Sequence, residues 1–222
     1  MSPPRVRLIL LLVSPILFCW SATGAFSADS YGEIKSKISR ATRAIMQNPG
    51  NAQAFIDRGL AEEQLEYFEE ALHDLNRGLE LNPKLANPWI YDARRKAFSD
   101  SGQLKLALED ATRAIKLSPK EAWRFKERAQ LYQSLNQNSL AIKDFTSCIE
   151  LDPKAFWSYL YRGELYASTH EYDKALKDYT AAIGLAHGNP LPYRNRAKVY
   201  ESLGEKERAT QDRSMADKLS SF

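Results

Sequence analysis

Cysteine, histidine and methionine are all scarce in this chain of 222 residues, with two, three and three copies. Cys19 lies in an apolar N-terminal run and Cys148 far downstream, so a chain that loses its N-terminus holds no pair for a disulfide. Cys148 is read as a packed thiol. None of His73, His170 and His187 stands at ligand spacing to another histidine, a cysteine or an acid pair, which excludes the usual metal motifs. Nucleophile-elbow, phosphate-loop and glycine-fingerprint sequences are missing too. The chain is therefore read as non-catalytic, without cofactor or metal. Excess charge is also small. The formal net charge is +3, of which Arg5 and Arg7 supply two, and so neutral a body gives no case for a nucleic-acid partner. No Asn-x-Ser/Thr acceptor occurs. The one long apolar run, Leu8–Trp20, falls short of the ~20 residues that a membrane helix needs.

That run has the form of a secretory leader. Arg5 and Arg7 precede it with no acid, and the small residues Ser21-Ala22-Thr23-Gly24-Ala25 follow. Residues 1–25 are expected to be a signal peptide cut after Ala25. The mature chain then has no stable membrane span and resides in the bacterial periplasm or is secreted. A leader that is kept would instead make a membrane-tethered scaffold.

What the chain has in quantity is a repeated pattern. In residues 156–185, Tyr159, Arg162, Gly163 and Tyr166 recur at steps of three and four, and so do Tyr172, Ala175, Leu176, Tyr179, Ala182 and Ile183. This is the period of an amphipathic helix, twice over. Pro49, Pro83, Pro119 and Pro153 close similar stretches at a near-constant step of about 34 residues, the mark of stacked helix–turn–helix units. Only the second step is longer, through the extra Ala86-Asn87. Counting the closing proline as position 32, position 4 is Phe55, Tyr91, Phe125, Tyr159 and Tyr193. Position 8 is Gly59, Arg95, Ala129, Gly163 and Ala197. Position 11 is Glu62, Phe98, Tyr132, Tyr166 and Tyr200. Position 20 is Ala71, Ala107, Ala141, Ala175 and Ala209.

On these residues the chain resembles the tetratricopeptide repeat (TPR) family, as an exported bacterial member. The resemblance implies an all-α, right-handed superhelical solenoid of five repeats at 52–85, 88–121, 122–155, 156–189 and 190–222, preceded by a single capping helix over 30–48. Arg95 is large for position 8, and His187 replaces the fourth closing proline. The last helix carries Arg213 and Asp217 where earlier repeats are apolar, as a polar end cap would. Joining turns are expected at Glu66, Gly102, Asn136, His170 and Gly204.

Two sets of residues stand out. Position 7 is arginine and position 23 aspartate in every repeat: Arg58 and Asp74, Arg94 and Asp110, Arg128 and Asp144, Arg162 and Asp178, Arg196 and Asp212. Antiparallel helices put position 7 within an arginine's reach of position 23, and pairing inside each repeat uses all ten as structural ion pairs. Position 2 holds Trp89, Trp123 and Trp157 in the central repeats. The resemblance places positions 2, 5 and 9 along a concave groove, which would also present Asp92, Lys96, Lys126, Gln130, Leu160 and Glu164. The three tryptophans are expected to form a ladder that grips an extended peptide or protein segment. Packing between repeats is the other reading of the same rings. Co-chaperone members of the family clamp acidic peptide ends with lysines and asparagines. No register reproduces that clamp, the second giving Asp92, Lys96, Glu127, Trp157 and Tyr161. The implied function is a protein-interaction scaffold or adaptor, with an accessory subunit of an envelope enzyme as the alternative.

Overall fold

The computed structural model describes residues 28–221, and the leader assigned to residues 1–25 lies outside them. Among the described residues there are eleven α-helices and no strand. A lone helix α1 (Ala28–Gln47) leads. Five antiparallel pairs follow: α2 (Ala52–Gln64) with α3 (Phe68–Leu81), α4 (Pro88–Asp100) with α5 (Leu104–Leu117), α6 (Ala122–Ser134) with α7 (Asn138–Leu151), α8 (Phe156–Ser168) with α9 (Tyr172–Leu185), and α10 (Leu191–Ser202) with α11 (Lys206–Ser220). The chain is an all-α solenoid. No helix among the described residues is long and apolar enough to cross a membrane.

Local chemistry sets the helix ends. The Asn51 side chain accepts from the Ala54 amide at 3.1 Å, and Asn87 accepts from Trp89 and Ile90 at 3.0 and 3.2 Å, with Pro88 supplying a first turn that needs no amide hydrogen. The residues Ala86-Asn87 lie in the lengthened connection, after a 3-10 turn over Pro83–Leu85. All five joins inside repeats turn through one left-handed residue, with φ of 61° at Glu66, 71° at Gly102, 57° at Asn136, 63° at His170 and 78° at Gly204. The next amide then reaches back to close the helix, as from Gln137 to the Tyr132 carbonyl at 2.8 Å. Glycine takes that backbone freely; Glu66, Asn136 and His170 take it under the constraint of the packed helices.

Each helix packs on its neighbours in sequence. Small residues let the paired helices approach, since all five position-20 alanines are buried. At Gly163 an added Cβ would stand 2.8 Å from Tyr179 Cε1, so the glycine is required by the ring against it. The second repeat departs from this arrangement. Position 8 there is Arg95, whose guanidinium pairs with Glu127 at 3.2 Å, and position 24 is the buried Ala111 rather than Leu75, Phe145 or Tyr179. The core is a chain of clusters that cross repeat boundaries: Ile56 and Leu75 join Ile90 and Ala93, Phe145 joins Leu165, and Leu160 and Tyr179 join Val199. A single repeat would leave half of each cluster in water, so the array stands only as a stack.

Candidate functional site

Position 7 comes first, because its arginines set the register of everything else. Each guanidinium grips the aspartate of its own second helix with two parallel bonds. Arg94 Nε and Nη2 reach Asp110 at 2.6 and 2.7 Å, Arg128 reaches Asp144 at 2.7 and 2.9 Å, and Arg162 and Arg196 reach Asp178 and Asp212 at 2.8 Å on both prongs. Arg58 holds Asp74 the same way, its Nη2 at 2.9 Å from Oδ1. The aspartates are almost fully buried, so these are desolvated, forked pairs.

The third donor crosses to the preceding repeat. Nη1 donates to Thr42 from Arg58, to Asn76 from Arg94, to Thr112 from Arg128, to Thr146 from Arg162 and to Thr180 from Arg196, at 2.8–3.3 Å. Rings at positions 4 and 11 sandwich the cation: Arg162 lies 5.8 Å from the Tyr159 centroid and 5.9 Å from Tyr166. One arginine therefore ties its own hairpin and stitches it to the helix before. This inter-repeat half escaped sequence reasoning. Its signal was present, as a threonine or asparagine at position 25 of each unit that precedes an arginine.

The tryptophans do not make a three-rung ladder. Trp89 and Trp123 stack with centroids 6.2 Å apart and planes at 26°, closer than separate helices alone would set them. Trp157 turns to its own helix instead, stacked on Tyr161 at 5.7 Å and edge-on to Phe156 at 5.1 Å. The cause of the stack is Arg124, at position 3 of the third repeat. Its guanidinium lies 5.1 Å from the Trp89 centroid and 4.6 Å from Trp123, buried beneath both. Trp89 is 65% exposed and Trp157 45%, so both keep an open face. Between Trp123 and Trp157 lies a cleft of about 300 Å³, with Lys126, Lys154 and Asp152 also in its walls.

Two residues expected in the groove are not there. Asp92 is buried and bonded by Arg124 Nε at 2.8 Å, and burial raises its carboxyl above the usual range against the pull of that arginine. Leu160 is fully buried with Tyr179 and Val199. Both stand at position 5, where Ile56 is buried as well, whereas Lys126 at that position is half-buried and Arg194 exposed. The remaining residues are engaged polar groups. Lys96 is held by Glu63 at 2.7 Å. Lys126 and Arg95 share Glu127, at 3.0 and 3.2 Å. Glu164 accepts from Asn195 at 2.8 Å, and burial raises its carboxyl. Half-buried Gln130 neighbours the Tyr161 hydroxyl, whose proton burial holds more tightly than usual. Cys148 is buried, receives the Ser158 hydroxyl at 3.0 Å, and has its thiol pushed up by burial.

With this geometry in hand, the family model described as tetratricopeptide repeat matches residues 52–85 and 127–155. No curated protein matches the chain. Among solved structures, a crystal structure of MamA is similar over 73% of this chain and 94% of its own, at 21% identity and a TM-score of 0.69. YrrB, titled a TPR protein with an unusual peptide-binding site, is similar over 82% of this chain and 93% of its own, at 19% identity and 0.70. The C-terminal part of a TPR repeat-containing protein from Cytophaga hutchinsonii is similar over 84% of this chain and 74% of its own, at 15% identity and 0.74. At these identities the likeness is one of fold.

Proposed function

Since this chain is a TPR protein, with residues 52–85 and 127–155 matching the family model within a stack of five helix pairs, we propose that it is a non-catalytic interaction scaffold that holds an extended peptide segment of a partner protein. One observation carries the reading. Trp89 and Trp157, at one repeat position, stay 65% and 45% exposed although tryptophan is costly to leave in water. Exposed aromatics with one open face are what binding hot spots are made of. The stacked pair over Arg124 forms a rigid floor, and the cleft between Trp123 and Trp157 has room for one apolar side chain of the segment. YrrB, a similar fold, is named for peptide binding, which agrees with this use. The chain acts after export to the bacterial envelope, released by cleavage near Ala25.

The test is selection from a random peptide library on the wild-type protein, followed by titration of the selected peptide. Trp89→Ala and Trp157→Ala should each weaken it by about 2 kcal/mol or more, with melting changing less in Trp89→Ala, whose ring is 65% exposed, than in Trp157→Ala, whose ring also packs on Phe156 and Tyr161. Selection of no peptide, or equal affinity in both variants, refutes the groove. N-terminal sequencing of the exported chain should start between Phe26 and Asp29; recovery of intact Met1–Arg7 in membranes refutes release.

A further inference from the structure

One repeat breaks the pattern of the arginine ladder. Position 11 is aromatic in four repeats, and its ring lies over the arginine: Phe98 over Arg94 at 5.8 Å, Tyr132 over Arg128 at 5.7 Å, Tyr166 over Arg162 and Tyr200 over Arg196 at 5.9 Å. In the first repeat that position is Glu62. Its Oε1 stands 3.8 Å from Arg58 Nε, a loose contact, because Arg58 is already committed to Asp74. The residue is only 8% exposed, and Oε2 is buried with no hydrogen-bond partner. Where the ring would lie there is a cleft of about 450 Å³, walled by Glu62, Glu69, Glu70, Asp74, His73 and Arg58. Three carboxylates, buried Glu62 and exposed Glu69 and Glu70, thus stand beside an Arg58–Asp74 pair whose guanidinium is already spent.

We propose that this cleft is a second recognition site, for the arginine side chain of a partner protein, whose guanidinium donates to the unpartnered Glu62 Oε2 and to Glu69 or Glu70. The walls require a cation with several donors. A planar guanidinium offers five N–H groups in a fork suited to paired carboxylates, where an ammonium is a point charge. Among the described residues no group of three or more histidines, cysteines or acids is arranged to hold a metal ion, which sets a side-chain cation above an ion. The site lies on the first repeat, apart from the tryptophans, and stands whether or not the groove binds peptide.

Binding here is coupled to a proton. Burial, with Asp74 and then Glu70 of α3 adding to it, raises Glu62 to about 7 against the pull of Arg58. From α1, Lys35 is occupied by the Tyr67 hydroxyl at 3.2 Å. From α4, Lys96 is occupied by Glu63. His73 Nδ1 lies 3.1 Å from Asp74 Oδ1. A guanidinium entering the cleft displaces the proton on Glu62 to solvent, so affinity should rise with pH through neutrality.

The experiment titrates the full chain with the peptide acetyl-Gly-Arg-Gly-amide, with its neutral citrulline counterpart and with calcium chloride at matched ionic strength, at about pH 5.5 and about pH 8. The expected result is binding of the arginine peptide alone, about tenfold or more tighter at the higher pH. Glu62→Gln should lose that tightening. Glu62→Tyr, which restores the ring of the other repeats, should lose binding with the fold intact. Wild-type affinity in both variants, equal binding of citrulline, the same response to calcium alone, or no binding of the arginine peptide overturns the site. None of these outcomes bears on the groove, whose own test uses Trp89 and Trp157.

Discussion

Removing Arg162 tests whether the ladder holds repeats together or merely decorates them. The side chain makes two bonds of 2.8 Å to Asp178 and one of 2.9 Å to Thr146, between the rings of Tyr159 and Tyr166. Asp178 is 3% exposed, so Arg162→Ala leaves a carboxylate without counter-charge in the interior. Breaking one side of such a pair costs about 3–5 kcal/mol, most of it the orphaned charge. Asp178→Ala strands a guanidinium that is itself largely buried and should cost a similar amount. The double variant strands neither. Its loss should stay near that of one single variant, which puts the coupling at the size of the other single loss, about 3–5 kcal/mol, at or above the top of the range for contacting residues. Thr146→Val isolates the inter-repeat bond, worth about 1 kcal/mol. Equilibrium urea unfolding of the five proteins gives these values if the slope stays constant. A coupling below about 0.5 kcal/mol, the additivity of independent sites, would refute the argument that the pair acts as one buried unit.

Three further outcomes follow from the geometry. Leu160→Ala empties a fully buried site among Tyr179 and Val199 and should cost about 2–5 kcal/mol in urea unfolding; a loss near zero would mean the side chain faces the groove after all. Gly163→Ala drives a methyl to 2.8 Å from Tyr179 Cε1 and should cost about 1–3 kcal/mol in urea unfolding; a loss near zero would mean that the ring has room to move aside. Glu62 holds its proton more tightly folded, near 7, than unfolded, near 4.3, so its contribution is full below about pH 4.3 and is lost as pH rises through about 7. Unfolding free energy should fall by up to about 3 kcal/mol across that window, and Glu62→Gln should flatten the slope; an unchanged slope would place the titration elsewhere.

The sequence by itself determined what repeats. The near-constant step between closing prolines, alanine at every position 20, and arginine at position 7 answered by aspartate at position 23 are local facts about helix pairs. They are legible because each repeat carries its own copy. The fold class and the places of the turns follow from such facts, since helical periodicity and the breaker residues act within one helix or one turn. Tertiary structure alone decided what happens between repeats, where a side chain answers to neighbours a whole repeat away along the chain. Position 5 reads as groove until the next repeat is stacked on it, and then Leu160 is core and Asp92 is the counter-charge of Arg124. The tryptophans read as an even ladder until Arg124 draws two of them together and Tyr161 takes the third. Arg95 reads as too large until its guanidinium is seen to pair with Glu127 of the next repeat. Each reversal has one cause: burial and hydrogen-bond partners belong to the packed surface between units, and a pattern repeated within a unit carries no record of which side chain of the adjacent unit will fill the space.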